Sequence, residues 1–245
     1  MGTAYYTSLD TMKKSIEVAK PSMITASIKR QTIQNTEYAK EFWKYIQELN
    51  ISILPNTAGC TSVEEVIKTA YMAKEIFDTN WIKLELIGDD LTLYPNNLKL
   101  IEATKILLEN NFKVMPYCTE DLIICKKLVD LGCDVIMPWA APIGTGLGPV
   151  NEYGLKNLRK FLPNIKIIID AGIGLPSHVV KLMEFGIDGV LLNTAIAKSC
   201  DPIKMAKAMS FAIQSGRLAY EAIPMEQAKE FNFSSIEIHK PFWKN

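Results

Sequence analysis

The chain has 245 residues, and 48% of them are hydrophobic, so it is long enough and apolar enough to bury one large core. Lysine plus arginine and aspartate plus glutamate balance at 27 each. A formal net charge of zero provides no general attraction to nucleic acid or to an anionic membrane, and we expect neither as a partner. Any anionic ligand must therefore be bound by a local site.

The cysteine and histidine content argues against a disulfide framework, a zinc cluster and a histidine-based catalytic triad. The five cysteines are widely spaced and form no C-x-x-C pair, which is typical of reduced intracellular thiols. His178 and His239 are too far apart in character to indicate a metal pair, and we expect no metal site. The N-terminus lacks the apolar core of a signal peptide, and no apolar run approaches the roughly 18 residues of a membrane span. The sequence therefore predicts a cytoplasmic location.

Short β-branched segments alternate with amphipathic stretches along the chain, which indicates repeated βαβ units and a parallel sheet. The predicted strands are 23–28, 52–54, 81–87, 113–115, 135–137, 166–170 and 189–192. Helical periodicity is found at 8–19, 62–77, 97–110, 120–131 and 176–185. Even spacing without a linker favours one α/β domain, a (βα)8 barrel of the TIM type, for which about 250 residues is a typical length.

Both ends of the chain depart from this pattern. A closed barrel needs eight strands, but only the short, polar segment 2–6 precedes the first helix. The first strand is therefore very short, or the start is truncated, or the barrel closes with seven strands and a gap. After residue 222 the periodicity is lost. We expect a catalytic domain at 1–222 and a tail at 223–245, which is either a surface tail or an apolar terminus that docks on a neighbouring subunit of a homo-oligomer.

Two charged residues fall on one face of the third predicted strand. Side chains alternate across a strand, so Lys83 and Glu85 share a face, and the apolar positions between and beside them must face the helices. A charged pair inside a barrel is costly unless the groups are paired or used in chemistry. A structural ion pair is one interpretation. The other is catalysis, because an interior lysine amine is a nucleophile towards carbonyl groups and can form a Schiff base.

A glycine-rich turn follows the sixth predicted strand. That strand ends in Asp170 and continues into Ala171, Gly172, Ile173 and Gly174. Carboxylates at the C-terminal ends of barrel strands are typical of catalytic sites, although Asp170 could instead cap its own turn. Loops after the last two strands commonly bind phosphate through backbone N–H groups. We therefore expect a phosphate site at 171–174 and 193–195. A side chain at position 172 should weaken binding but spare the fold, and Lys198 should matter less.

Two further loops extend this rim. Residues 144–148 contain three glycines, which favours a ligand clamp over a plain long loop. Residues 54–59, Leu-Pro-Asn-Thr-Ala-Gly, end the second strand and offer hydroxyl and amide groups to the same mouth.

Taken together, these segments resemble the bacterial thiazole synthase family of thiamine biosynthesis. The resemblance covers roughly residues 2–222 and is based on five motifs in order, at 53–59, 82–88, 137–146, 169–174 and 189–195. It implies that Lys83 forms an imine with the ketone of 1-deoxy-D-xylulose 5-phosphate, with Glu85 and Asp170 assisting proton transfers. It also implies substrate and phosphate contacts at the following five residues: Gly144, Ala171, Gly172, Asn193 and Thr194.

The resemblance further implies the other partners of the reaction. Sulfur comes from the C-terminal thiocarboxylate of a small sulfur-carrier protein, dehydroglycine then condenses and the ring closes, and no redox cofactor is required. Two alternatives stay open. One is a class I aldolase-like barrel that acts on another ketose phosphate. The other is an inactive paralogue that only binds ligand or carrier protein, although the retained interior charges argue against it.

Overall fold

The computed structural model describes residues 1–28 and 37–225. Its seven strands are β1 (Met23–Ser27), β2 (Ser52–Asn56), β3 (Trp81–Leu84), β4 (Lys113–Cys118), β5 (Val135–Pro138), β6 (Lys166–Asp170) and β7 (Gly189–Leu191). The helices in these ranges are α1 (Leu9–Ala19), α2 (Glu37–Glu48), α3 (Val63–Phe77), α4 (Asn97–Glu109), α5 (Leu122–Asp130), α6 (Glu152–Phe161), α7 (Pro176–Glu184), α8 (Thr194–Ala197) and α9 (Pro202–Glu221). Most of the predicted tail, residues 226–245, lies outside the described residues, and so does its predicted docking.

The strands form one parallel sheet in sequential order from β1 to β7, which confirms the predicted α/β fold. Two strands run further than predicted, because Pro55 and Pro116 do not end them. Proline removes one N–H donor, but pairing continues past each proline, as in the register between Asn56 and Lys83. In contrast, β3 ends at Leu84, three residues before the predicted end.

The edges of the sheet meet at Gly2, which occupies the place of the missing first strand. Gly2 forms a parallel bridge with Thr25 in β1, and its N–H donates to the carbonyl oxygen of Leu192, directly after β7 (2.7 Å). The carbonyl oxygen of Met1 accepts from the N–H of Thr25 (2.9 Å). Gly2 therefore joins the two edges of the seven-stranded sheet, as a very short first strand would.

Alternation along the strands separates two apolar layers, as the sequence predicts. Ile82, Leu84 and Leu86 are fully buried in the core between the strands and the outer helices. The other face of the sheet lines the barrel interior, whose lower part is filled by an apolar cluster around Leu54 and Met137. Above this cluster, at the C-terminal ends of the strands, charged and polar side chains such as Lys83 and Asp170 line the interior.

Helix N-caps hold the connecting loops in position. The side chain of Ser62 caps α3, Asp121 caps α5 and Asp201 caps α9. No helix within the described ranges is long and apolar enough to cross a membrane. The five cysteines are free thiols, and four of them are buried.

Candidate active site

A cleft of about 430 Å³ opens at the C-terminal ends of the strands. Its walls come from residues 2–5, from the ends of the first three strands and from the loops after β5, β6 and β7. The eight residues predicted to be catalytic or to contact substrate and phosphate all line this cleft, namely Lys83, Glu85, Gly144, Asp170, Ala171, Gly172, Asn193 and Thr194. The fold therefore brings the predicted residues together, as expected for this end of a barrel.

A buried trio of charges lies at the floor of the cleft. The Nζ atom of Lys83 is 2.8 Å from Oε1 of Glu85 and also forms an ion pair with Oδ2 of Asp170. The exposed fractions of Lys83, Glu85 and Asp170 are only 6%, 7% and 6%. One ammonium group with two carboxylates carries an excess negative charge in a poorly solvated place, and such an arrangement is costly unless it serves chemistry.

The surroundings shift the pKa values of two members of this trio. Burial alone lowers the pKa of the Lys83 ammonium, but Asp170 and Glu85 outweigh burial, and the net pKa lies above its ordinary value. The sequence could not determine this balance. Burial raises the pKa of the Asp170 carboxyl above its usual value of 3.8, because the attraction of Lys83 offsets burial only in part. Lys83 therefore rests as an ammonium, in direct contact with a carboxylate whose pKa lies above its usual value.

Thr57 forms hydrogen bonds to the backbone of Lys83 and Glu85. The sequence did not predict this role. The Oγ1 atom of Thr57 donates to the carbonyl oxygen of Glu85 (2.7 Å) and accepts from the N–H of Glu85 (2.8 Å). The N–H of Thr57 also donates to the carbonyl oxygen of Lys83 (3.2 Å). These bonds replace the strand ladder after Leu84 and keep Glu85 facing inward. The predicted contribution of this hydroxyl to the cleft mouth is wrong, because it is already bonded to backbone.

The turn after Asp170 is strained and tightly packed. Ala171 has a φ of 70°, an unfavourable left-handed conformation for a non-glycine residue, and its N–H donates to the Asp170 carboxylate. Gly172 has a φ of 76°, and a Cβ atom there would overlap the backbone nitrogen of Ala141. The expectation that a side chain at position 172 would spare the fold is therefore wrong.

His178 limits which amides are free to bind an anion. Its Nδ1 accepts from the N–H groups of Gly174 and Leu175, each at 3.3 Å, at the N-terminus of α7. Burial lowers the pKa of His178, which favours the neutral imidazole that can accept these bonds. Gly148 lies against the same ring, and a Cβ at position 148 would be 2.8 Å from it. The N–H of Gly174 is thus already hydrogen-bonded to His178. In the predicted phosphate loop, Gly172 and Ile173 are therefore the better candidates to bind an anion through their N–H groups.

The part of the cleft next to β7 has polar atoms around α8. Asn193 and Thr194 line the cleft, and the Oδ1 atom of Asn193 is buried without a hydrogen-bond partner among the described residues. Lys198 also lines the cleft, with its Nζ atom 5.3 Å from the centre of the Tyr5 ring. Apart from Lys83, it is the only lysine or arginine among the described residues that form this cleft. If a side chain and not the backbone amides binds the anion in this cleft, Lys198 is the candidate residue.

Aromatic side chains close the cleft wall beside Glu85. Tyr117 is fully buried, the Lys83 Nζ atom lies 5.8 Å from its ring centre, and burial raises the pKa of its phenol. Trp139 packs in the same cluster, donates its Nε1–H to Glu120 and meets Tyr94 edge to face at 4.7 Å. These residues shield the trio from solvent on the side of β4 and β5.

Comparison with known proteins identifies the family. The model of the family described as thiazole biosynthesis protein ThiG matches residues 1–236. The chain belongs to the ThiG family. The sequence resemblance to thiazole synthases is confirmed, and with it the prediction of an enzyme of thiamine biosynthesis. Membership favours this prediction over the aldolase-like alternative.

Relatives agree with the family match over nearly the whole chain. The thiazole synthase of Neisseria gonorrhoeae is 53% identical over 99% of this chain and 93% of its own length. That of Ralstonia pickettii is 49% identical over 99% of this chain and 88% of its own length. Among solved structures, the Amycolatopsis orientalis BexX/CysO complex superimposes with a TM-score of 0.84 at 24% identity, covering 94% of this chain and 93% of that one. At that identity the structural likeness supports the fold.

Proposed function

We propose that Lys83 attacks the ketone of 1-deoxy-D-xylulose 5-phosphate and forms a Schiff base with loss of water, as the first step of thiazole formation. The buried ion trio is the observation that supports this role. A fully protonated lysine is not a nucleophile, so one proton must leave Nζ first. Asp170, with its raised pKa and its direct contact with Nζ, is the acceptor at hand.

The second carboxylate then serves the tautomerisation that follows. Removing the proton from the carbon next to the imine needs a base within reach. Glu85 can serve as this base because its Oε1 atom lies 2.8 Å from Nζ, the atom that becomes the imine nitrogen. Thr57 keeps Glu85 in that position through its two hydrogen bonds to the Glu85 backbone. Two carboxylates that flank one nitrogen can divide the acid and base steps between them.

Backbone amides bind the phosphate in this proposal. Gly172 and Ile173 follow β6, Asn193 and Thr194 follow the neighbouring strand β7, and all four residues line the cleft. The dipole of α8 contributes little because that helix has four residues, so the amides and the Thr194 hydroxyl carry the contact. Lys198 adds a screened charge at the rim.

The later steps require partners that reach the cleft from outside. We propose that a small sulfur-carrier protein delivers sulfur from a C-terminal thiocarboxylate and that dehydroglycine condenses last. The family membership supports these partners, and the superimposed BexX structure is a complex with CysO. A homo-oligomer, a cytoplasmic location and a separate C-terminal tail after residue 222 stay predictions from the sequence.

Borohydride trapping tests the Schiff base directly. With 1-deoxy-D-xylulose 5-phosphate, reduction should add one substrate-derived mass to the intact chain, and peptide mapping should locate it on Lys83. Lys83→Met should abolish the adduct, while the matched variant Lys198→Met, which removes the other lysine of the cleft, should keep it. An adduct on Lys198, or none in the wild type, would refute the proposal.

The complete reaction separates the remaining alternatives. Adding the thiocarboxylated carrier and dehydroglycine should give thiazole phosphate. Retro-aldol products from a ketose phosphate without thiazole would favour an aldolase-like enzyme, and ligand binding without turnover would indicate an inactive paralogue.

A further inference from the structure

Ser27 has a buried hydroxyl group that no other described part of the chain satisfies. The residue is 8% exposed, and its Oγ atom is buried without a hydrogen-bond partner in the described ranges. The buried hydroxyls of Ser15 and Thr104, by contrast, donate to the carbonyl oxygens of Thr11 (2.8 Å) and Leu100 (2.7 Å). Three tyrosine hydroxyls, those of Tyr6, Tyr45 and Tyr117, are also buried without a partner in the described ranges, but none of these tyrosines lines the cleft. An unsatisfied buried hydroxyl costs about 1–3 kcal/mol, so one that is kept needs a reason.

The place of Ser27 in the barrel suggests that reason. Ser27 ends β1 on its inner face and lines the cleft. It is in register with Asn56 of β2, which is in register with Lys83 of β3. In the other direction, β1 meets the seam at Gly2, which bonds to Leu192 just before Asn193. Around the barrel wall, Ser27 thus lies between the lysine and the proposed phosphate site.

A ligand that fills the cleft from Lys83 to Asn193 can contact Ser27, because Ser27 lines the same cleft. Parallel strands are about 4.8 Å apart, so Lys83 and Ser27, two strands apart, are separated by roughly 10 Å along the wall. In the proposed substrate, the carbons between the ketone and the phosphate carry two hydroxyl groups. A serine hydroxyl can both donate and accept a hydrogen bond, as can each hydroxyl group of such a ligand.

We propose that the Ser27 hydroxyl hydrogen-bonds a chain hydroxyl of the ketose phosphate and so selects hydroxylated substrates. This inference rests on the proposed function. It assigns Ser27 to substrate specificity, because the contact lies away from the imine nitrogen and takes no part in the proton transfers.

Affinities of three ligands test the assignment: 1-deoxy-D-xylulose 5-phosphate and its two analogues that each lack one chain hydroxyl. Concentration-dependent borohydride trapping gives the affinity of each. Ser27→Ala should weaken the full substrate by roughly five- to ten-fold, the range for one hydrogen bond. It should leave one analogue unaffected, because that analogue has already lost the partner hydroxyl. Ser15→Ala, which removes a buried serine hydroxyl from α1, should leave all three affinities unchanged.

Melting curves exclude a structural cause. Ser27→Ala removes no hydrogen bond to a residue of the described ranges and should melt at or above the wild-type temperature. An equal loss of affinity for all three ligands, or a lower melting temperature, would make the role of Ser27 structural and overturn the inference. Unchanged binding of the full substrate would also overturn it, while the proposed function would stand. If the wild type gives no adduct with the ketose phosphate, both proposals fail.

Discussion

Replacing Asp170 with asparagine should stabilise the protein while it removes activity. The trio of Lys83, Glu85 and Asp170 carries one excess negative charge in a site about 6% exposed. Asparagine keeps the shape and can still accept from the N–H of Ala171, and Lys83 keeps Glu85 at 2.8 Å. Lys83 and Glu85 then form a pair without net charge, so folding no longer desolvates an uncompensated negative charge.

Removing a functional but unfavourable charge typically stabilises a protein by about 0.5–2 kcal/mol. For a chain of this size, 1 kcal/mol corresponds to about 2–4 °C in melting temperature. We therefore expect Asp170→Asn to raise the melting temperature by a few degrees and to slow turnover by roughly 10²–10⁴-fold. Lys83→Met is the contrasting variant, because it leaves two buried carboxylates without a cation. It should destabilise the fold by about 3–5 kcal/mol.

The gain in stability should depend on pH. The pKa of Asp170 is raised in the fold, so its contribution to stability is most favourable below the unfolded value of 3.8 and is lost as pH rises through the folded pKa. The stability difference between Asp170→Asn and the wild type should then be largest at neutral pH and shrink as pH falls towards 3.8. Calorimetric melts across this range would measure it. If Asp170→Asn loses as much stability as Lys83→Met, the ion pair is net stabilising and the reasoning is wrong.

Three other variants probe the remaining parts of the site. Glu85→Gln should keep the trapped adduct but slow exchange of the substrate proton with deuterium by roughly 10²-fold or more, whereas loss of folding would indicate a purely structural pair. Thr57→Val should cost about 1–3 kcal/mol in urea unfolding, because the Glu85 backbone loses both bonds to that hydroxyl; an unchanged midpoint would contradict its role. Gly144→Ala and Gly172→Ala have similar positive φ values, but only the second overlaps Ala141. Gly172→Ala should therefore melt clearly lower, and equal melting temperatures would refute the packing argument.

The proposed catalytic residues could be selected from the sequence because their signals are local. Period-two alternation is enough to place Lys83 and Glu85 on the inner face, and a strand that ends in a carboxylate is enough to place Asp170 at the rim. Other features depend on contacts between distant segments. Thr57 and Glu85 are 28 positions apart, and no periodicity links them. The overlap between Gly172 and Ala141 is equally invisible in sequence.

The direction of the Lys83 pKa shift also could not be predicted from the sequence. Burial and two carboxylates act in opposite directions on one ammonium group, and the net sign depends on distances that only a structure provides. In the same way, the pattern could not show what joins the two edges of the sheet, because the join depends on one hydrogen bond between residues 2 and 192.

That bond has a consequence for how the protein folds. Because Gly2 needs the carbonyl oxygen of Leu192, the seam cannot form until nearly the whole barrel sequence has left the ribosome. Residues 2–5 and 191–195 form the cleft walls on the two sides of this seam. Contacts so far apart in sequence are slow to form. A ligand that touches both walls would bind only the closed barrel and stabilise it by mass action, so substrate occupancy would report the completion of folding.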